Sequence, residues 1–181
     1  MDQGLIPRRY AKALYKFALE KGADRRLYEL TGNLAKAFMA QPALQEAVTN
    51  PFVAAADKTE LLTTAAGAGK DDAVFADFLK LLLHNNRIEF VRDIAIAYRD
   101  IYREEHDIYR VTVTSAQPLD AAEEQRLKAL VEKHLRGGSM EYESRLDPEL
   151  IGGFTVSVNN EKLDASVANE LKQLRLKLIT N

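Results

Sequence analysis

The chain has 181 residues, 46% of them hydrophobic and 29% charged, with a formal net charge of −2. That is the make-up of a soluble globular protein with room for one large domain or two small ones, and the near balance of charge argues against a broad nucleic-acid-binding surface. With no cysteine, disulfides, thiol catalysis and cysteine metal sites are excluded.

No apolar run approaches the roughly 20 residues that cross a bilayer. The first residues, Met1-Asp2-Gln3-Gly4, show neither a secretory signal nor an Arg- and Ser-rich transit peptide, so a cytosol-like compartment is expected.

Helical periodicity begins at Pro7, whose missing N–H costs nothing in a first turn. Tyr10, Ala13, Leu14, Phe17 and Ala18 follow the i, i+3, i+4, i+7, i+8 pattern, and Gly22 stands where a C-terminal cap belongs. A second helix opens at Asp24, an N-cap residue, carries Leu27, Leu30, Leu34 and Phe38, and stops before Pro42. Ala43 to Val48 can form a short third helix, with Asn50-Pro51 as the turn after it. A fourth covers Ala54 to Ala66, ended by Gly67 and Gly69.

The fifth helix, Asp72 to His84, has one apolar stripe in Phe75, Phe78, Leu79, Leu82 and Leu83. Val74, Phe78 and Leu81 make a second stripe on an adjoining face. Asn85-Asn86-Arg87 ends it. A sixth helix, Glu89 to Glu105, carries Val91, Ile94, Ala95, Tyr98 and either Ile101 or Tyr102. These elements predict a compact six-helix bundle over residues 1–105.

The first and fifth helices have more apolar surface than one core-facing stripe requires. In the first, Ala11, Tyr15 and Leu19 extend the arc toward the far side. Two readings are open. The helices are central and covered all round, or they leave a groove that accepts an amphipathic helix from another protein.

Near His106 the pattern changes. Tyr109, Val111 and Val113 alternate with Arg110, Thr112 and Thr114, which predicts a strand. Asp120 with Glu123 approximates a capping box before a helix carrying Leu127, Leu130, Val131 and Leu135, closed by Gly137-Gly138. Met140, Tyr142 and Leu146 suggest a second strand.

The third strand is the most ordered stretch of the sequence, Asp147-Pro148 through Gly152-Gly153 to Phe154, Val156 and Val158, closed by Asn159-Asn160. Its paired glycines suit a bulge or a close backbone approach better than a phosphate cradle, because no helix start follows them. Ser166 opens a last helix with Val167, Leu171, Leu174 and Leu178. The order β-α-β-β-α predicts a small α+β unit over residues 106–181, marginal by itself. The chain as a whole is read as α+β.

Nothing in the sequence reads as catalytic. His84, His106 and His134 are isolated from one another, with no metal-ligand spacing, and no nucleophile elbow or Walker loop is present. Arg8-Arg9 reads as exposed charge. No aromatic signature of an RNA-binding sheet accompanies the βαββα order.

Several segments nonetheless form a recognisable ordered set: Arg9-Tyr10-Ala11-Lys12-Ala13-Leu14-Tyr15, Asn50-Pro51 with Lys58-x-x-Leu61-Leu62, and Phe78-Leu79 through Asn85-Asn86-Arg87. With Ala116-Gln117-Pro118-Leu119, Leu150-Ile151-Gly152-Gly153-Phe154 and Leu163-Asp164-x-Ser166-Val167, the set resembles the delta subunit of bacterial F-type ATP synthases. The mitochondrial homologue in that family is the oligomycin-sensitivity-conferring protein. One departure is Asn160-Glu161-Lys162-Leu163-Asp164, where many members have a Gly-rich turn.

The resemblance implies a non-catalytic stator subunit without cofactor or metal, one copy per complex, neither inserted in the membrane nor bound to nucleic acid. It implies a location on the cytoplasmic face of the bacterial inner membrane. It further implies that the helical domain sits on the catalytic head of alpha and beta subunits, and that the second domain meets the b subunits of the peripheral stalk. The family's principal groove, which takes an N-terminal helix of an alpha subunit, maps to Tyr10, Ala13 and Phe17 with Val74, Phe78 and Leu81. On that mapping Phe78→Asp is expected to abolish peptide binding while leaving the bundle folded. A generic helical adaptor for another partner is the alternative, followed by an enzyme with an unrecognised site and an RNA-binding module.

Overall fold

The structure is a computed structural model that describes residues 4–135, 138–148, 150, 153–159 and 161–166. The chain divides into two compact units, 1–105 and 106–181.

In the first unit the helices are α1 (Leu5–Glu20), α2 (Asp24–Ala40), α3 (Ala43–Thr49), α4 (Ala55–Ala66), α5 (Ala73–His84) and α6 (Val91–Glu105). A single 3-10 turn, Ile88–Phe90, leads into α6. Both α1 and α2 pack along α6, while α4 lies against α2 and α5. The sixth helix buries Val91, Ile94, Ala95, Tyr98 and Tyr102, so the choice between Ile101 and Tyr102 falls to the tyrosine.

Among the described residues Tyr98 is the largest side chain fully removed from solvent, and its hydroxyl donates to the Asp24 carbonyl at 2.9 Å. Burial first, and the nearby Asp24 charge second, push its phenol well above the ordinary range. Tyr15 and Tyr102 sit around it with ring centroids 6.1 and 6.5 Å away. Tyr28 of α2 stacks on Tyr102 at 4.3 Å and is covered by the Arg99 guanidinium, 4.5 Å from its ring centroid. These ring contacts add to the area they bury. Gly32 lets Arg99 lie flat on α2, because a Cβ there would meet the guanidinium.

The core face of α1 differs from the expected stripe. Leu14 and Ala18 turn inward as predicted, but Ala11, Tyr15 and Pro7 complete the buried set. Tyr10 is half-buried, and Ala13 and Phe17 are exposed. Small Ala11 and Ala18 let α1 approach α6 closely, and the three-tyrosine contact selects the side that carries Tyr15. The second helix follows its predicted stripe, with Leu27, Leu30, Leu34 and Phe38 all buried.

The second unit contains β1 (Ile108–Ser115), α7 (Ala121–His134), β2 (Ser139–Leu146), β3 (Gly153–Val158) and β4 (Glu161–Ser166). The sheet order is β2-β1-β3-β4. β1 pairs with β2 in parallel and with β3 antiparallel, and β3 pairs antiparallel with β4. The parallel pair needs a long crossover, which α7 provides. Its Asp120 cap and Glu123 form the full reciprocal box. Val111, Val113 and Val156 pack with Val131 and Leu135 to make the core of this unit.

One strand was not expected. Residues 161–166 form β4, which ends at Ser166. The described elements therefore run β-α-β-β-β; the predicted last helix, with Val167, Leu171, Leu174 and Leu178, lies outside the described residues. Asn159 makes the hairpin: it holds φ at 51°, which primed turns require, between the paired residues Val158 and Glu161. Its side-chain oxygen accepts from Arg110 N at 2.9 Å while its own N–H donates to the Arg110 carbonyl at 2.8 Å. At the other end of β3, Gly153 has φ 79°, a left-handed conformation that a side chain would strain. That is a backbone duty, as read from the sequence; Gly152 lies outside the described residues.

A bidentate contact fixes the start of α5. Arg26 of α2 donates to both Asp72 oxygens, at 2.9 and 3.0 Å, and Asp72 also accepts from Gly69 N at 2.7 Å. Arg26 above all, helped by Gly69 and opposed by partial burial, holds the Asp72 carboxyl below the usual carboxylate range. A depressed folded-state pKa contributes stability that is present above the unfolded value, near 3.9, and lost as pH falls through the folded one. Arg26 is half-exposed, so solvent screens part of that contribution. Asp72→Asn should lower the urea midpoint at neutral pH and narrow the gap between midpoints measured at pH 7 and pH 3. An unchanged gap would show that the clamp does not couple to folding.

Candidate functional site: an open apolar seam between the first and fifth helices

The structure brings α1 and α5 side by side. At one end the Asn85 side chain donates to the Tyr10 hydroxyl at 3.2 Å, tying the end of α5 to the first half of α1. Along the seam Ala13 is exposed, Phe17 is 39% exposed and Leu81 is 49% exposed, with Tyr10 and Val74 half-buried. Phe17 and Leu81 are thus large apolar side chains left open to water on two helices that touch each other. Lys21 reaches over the Phe17 ring, 5.8 Å from its centroid.

Phe78 is the exception among the six expected residues. It is only 4% exposed and packs near the Phe75 ring, with centroids 6.5 Å apart. It shares the core with Phe75, Leu79 and Leu82. Phe78 lies on both apolar stripes of α5, and the core stripe takes it. It therefore offers almost none of its side chain to solvent. What α5 offers outward is Val74 and Leu81.

Two concavities of the first unit lie elsewhere. One of about 670 Å³ is bounded by Ala37, Ala40, Leu44, Asp57, Glu60 and Leu61. Another of about 370 Å³ lies between the start of α1 and the outer face of α6, with Ile96, Asp93 and Asp100 among its walls. Neither contains a residue of the seam, which is an open face suited to an elongated partner more than to a small molecule. Among the described residues no cluster of His, Asp or Glu could hold a metal ion, and no helix is long and apolar enough to cross a membrane.

The fold is thus that of a two-unit α+β protein whose helical part presents an apolar seam. Residues 6–178 match the family model for the ATP synthase delta (OSCP) subunit. The ATP synthase subunit delta of Bacteroides thetaiotaomicron is 36% identical, with 99% of this chain and 96% of the relative covered. That of Parabacteroides distasonis is 36% identical over 100% of this chain and 99% of the relative. That of Gloeobacter violaceus is 33% identical over 98% and 96%. A chain in the cryo-EM structure of the Toxoplasma gondii mitochondrial ATP synthase hexamer superposes with a TM-score of 0.76, covering 96% of this chain and 97% of that one. It is 21% identical and bears on the fold alone.

The chain belongs to the ATP synthase delta (OSCP) subunit family. It is a non-catalytic component of the peripheral stalk of an F-type ATP synthase, and so part of a membrane-associated complex. The generic-adaptor alternative gives way to this membership.

The burial of Phe78 reverses the expectation that Phe78→Asp spares the fold. Removing a buried phenylalanine costs about 3–5 kcal/mol, and an unpaired buried carboxylate adds to that. The variant should lose most of its helical circular-dichroism signal or melt far below the parent. If it melts with the parent, Phe78 is not a core residue.

Proposed function

We propose that the first unit is a six-helix domain that sits on top of the catalytic head, among its alpha and beta subunits. There it receives an N-terminal helical segment of an alpha subunit along the seam between α1 and α5. Tyr10, Ala13 and Phe17 on one side, with Val74 and Leu81 on the other, make the contact, while Phe78 stiffens its floor. The second domain, residues 106–181, meets the ends of the b subunits of the peripheral stalk. One copy serves each complex, on the cytoplasmic face of a bacterial inner membrane.

The single observation that carries the reading is the exposure of Phe17 and Leu81 on adjacent helices. An amphipathic helix buries its own apolar stripe by lying along such a seam. A helix in a groove buries on the order of 1,200 Å² of total surface, enough for a specific interface, with aromatic anchors supplying much of the affinity. The work asked of this subunit is mechanical. It holds the head to the stalk so that the head does not turn with the rotor, which calls for slow dissociation under load and not for turnover.

The test uses the exposed residues. Phe17→Asp and Leu81→Asp each put a charge into the seam without entering the core. Calorimetry with a synthetic peptide of the alpha-subunit N-terminus should show binding lost or weakened at least about 100-fold, with the circular-dichroism spectrum and melting temperature unchanged. Parental affinity in both folded variants would refute the seam as the docking site.

A further inference from the structure

The seam is electrically lopsided. Between Leu5 and Glu20, α1 carries Arg8, Arg9, Lys12 and Lys16 against one carboxylate, Glu20, in a chain whose net charge is −2. At 100° per residue, Arg9 lies about 40° and Lys16 about 60° around the helix from Ala13, on its solvent side; both are exposed. Lys21 adds a third cation above Phe17. None of these three takes part in an ion pair among the described residues.

The placement runs against the helix itself. Arg8, Lys12 and Lys16 repel one another at four-residue spacing, and no acidic residue occupies the first turn, where the helix dipole favours one. On α5, Asp77 is already paired with Lys80 at 3.1 Å.

We propose that the helix docking in the seam is acidic along the edge that faces α1, with carboxylates set beside Arg9 and Lys16. This rests on the seam being the docking site and names the charge class of its occupant. Charge on a rim acts chiefly on encounter rate, orientation and rejection of wrong partners. A uniformly apolar seam would accept the same helix in either direction.

The experiment titrates the full chain with the synthetic alpha-subunit N-terminal peptide at 50 and 300 mM NaCl. Exposed pairs are screened over this range, so the parent should bind several-fold more weakly at the higher salt. Arg9→Glu combined with Lys16→Glu should weaken low-salt binding about tenfold or more and flatten or reverse the salt dependence, with melting unchanged. Lys12→Glu, turned about 100° away from Ala13, keeps the affinity within about twofold. If the double reversal binds like the parent with the same salt dependence while Leu81→Asp does not bind, the seam stands and the acidic occupant is refuted. If Leu81→Asp binds like the parent, the seam itself fails, and the charge proposal with it.

Discussion

The packing of α1 and α2 against α6 around Tyr98 is the constraint on which the helical unit depends. It joins a fully buried phenol, hydrogen-bonded to the Asp24 carbonyl, to rings from α1 and α2 and to the close approaches allowed by Ala11, Ala18 and Gly32. Once Tyr15 faces that cluster, the rotation of α1 about its own axis is set. Every other residue of α1 then has a fixed address, and Ala13 and Phe17 come to the surface as a consequence. The exposed apolar side of α1 is in this sense a by-product of which side the tyrosines hold.

The six helices were legible to within about two residues because prolines and glycines punctuate the first half densely, although Asp24, read as an N-cap, is the first residue inside α2 and Ala23 takes the cap position without a side-chain bond. The core stripe of α2 was legible because only one of its faces is apolar. The first helix was harder, since both Tyr10–Phe17 and Ala11–Tyr15 read as apolar stripes, and periodicity does not say which one meets a neighbour. The fifth helix posed the same difficulty at one residue. Phe78 belongs to two overlapping stripes, and only the packed structure shows that the core claims it. An excess of apolar surface could therefore be recognised from the sequence, but the residues left outside could not all be named.

In the second unit, the alternating strands β1 and β3 and the capping box of α7 were visible at once. The fourth strand was not, because Glu161-Lys162-Leu163-Asp164-Ala165-Ser166 has the charged, weakly apolar make-up of an edge strand, a composition that discourages pairing with other chains. Its pairing is set by β3 and by the turn before it, more than by any preference of its own residues. Gly153 told the opposite story. Its glycine was conspicuous in the sequence and turned out to serve a left-handed backbone position.

Asn159 has a consequence for the chain before it folds. A glycine at that turn would adopt the same positive φ with ease, but it would also roam more widely in the unfolded state and so give up more freedom on ordering. Asparagine tolerates the left-handed region while sampling fewer alternatives. Its amide oxygen then adds a tether to Arg110 that glycine has no atoms to make. The hairpin thus begins its search from a smaller ensemble and ends with one more anchor, which suits a small unit with few fully buried side chains among its described residues.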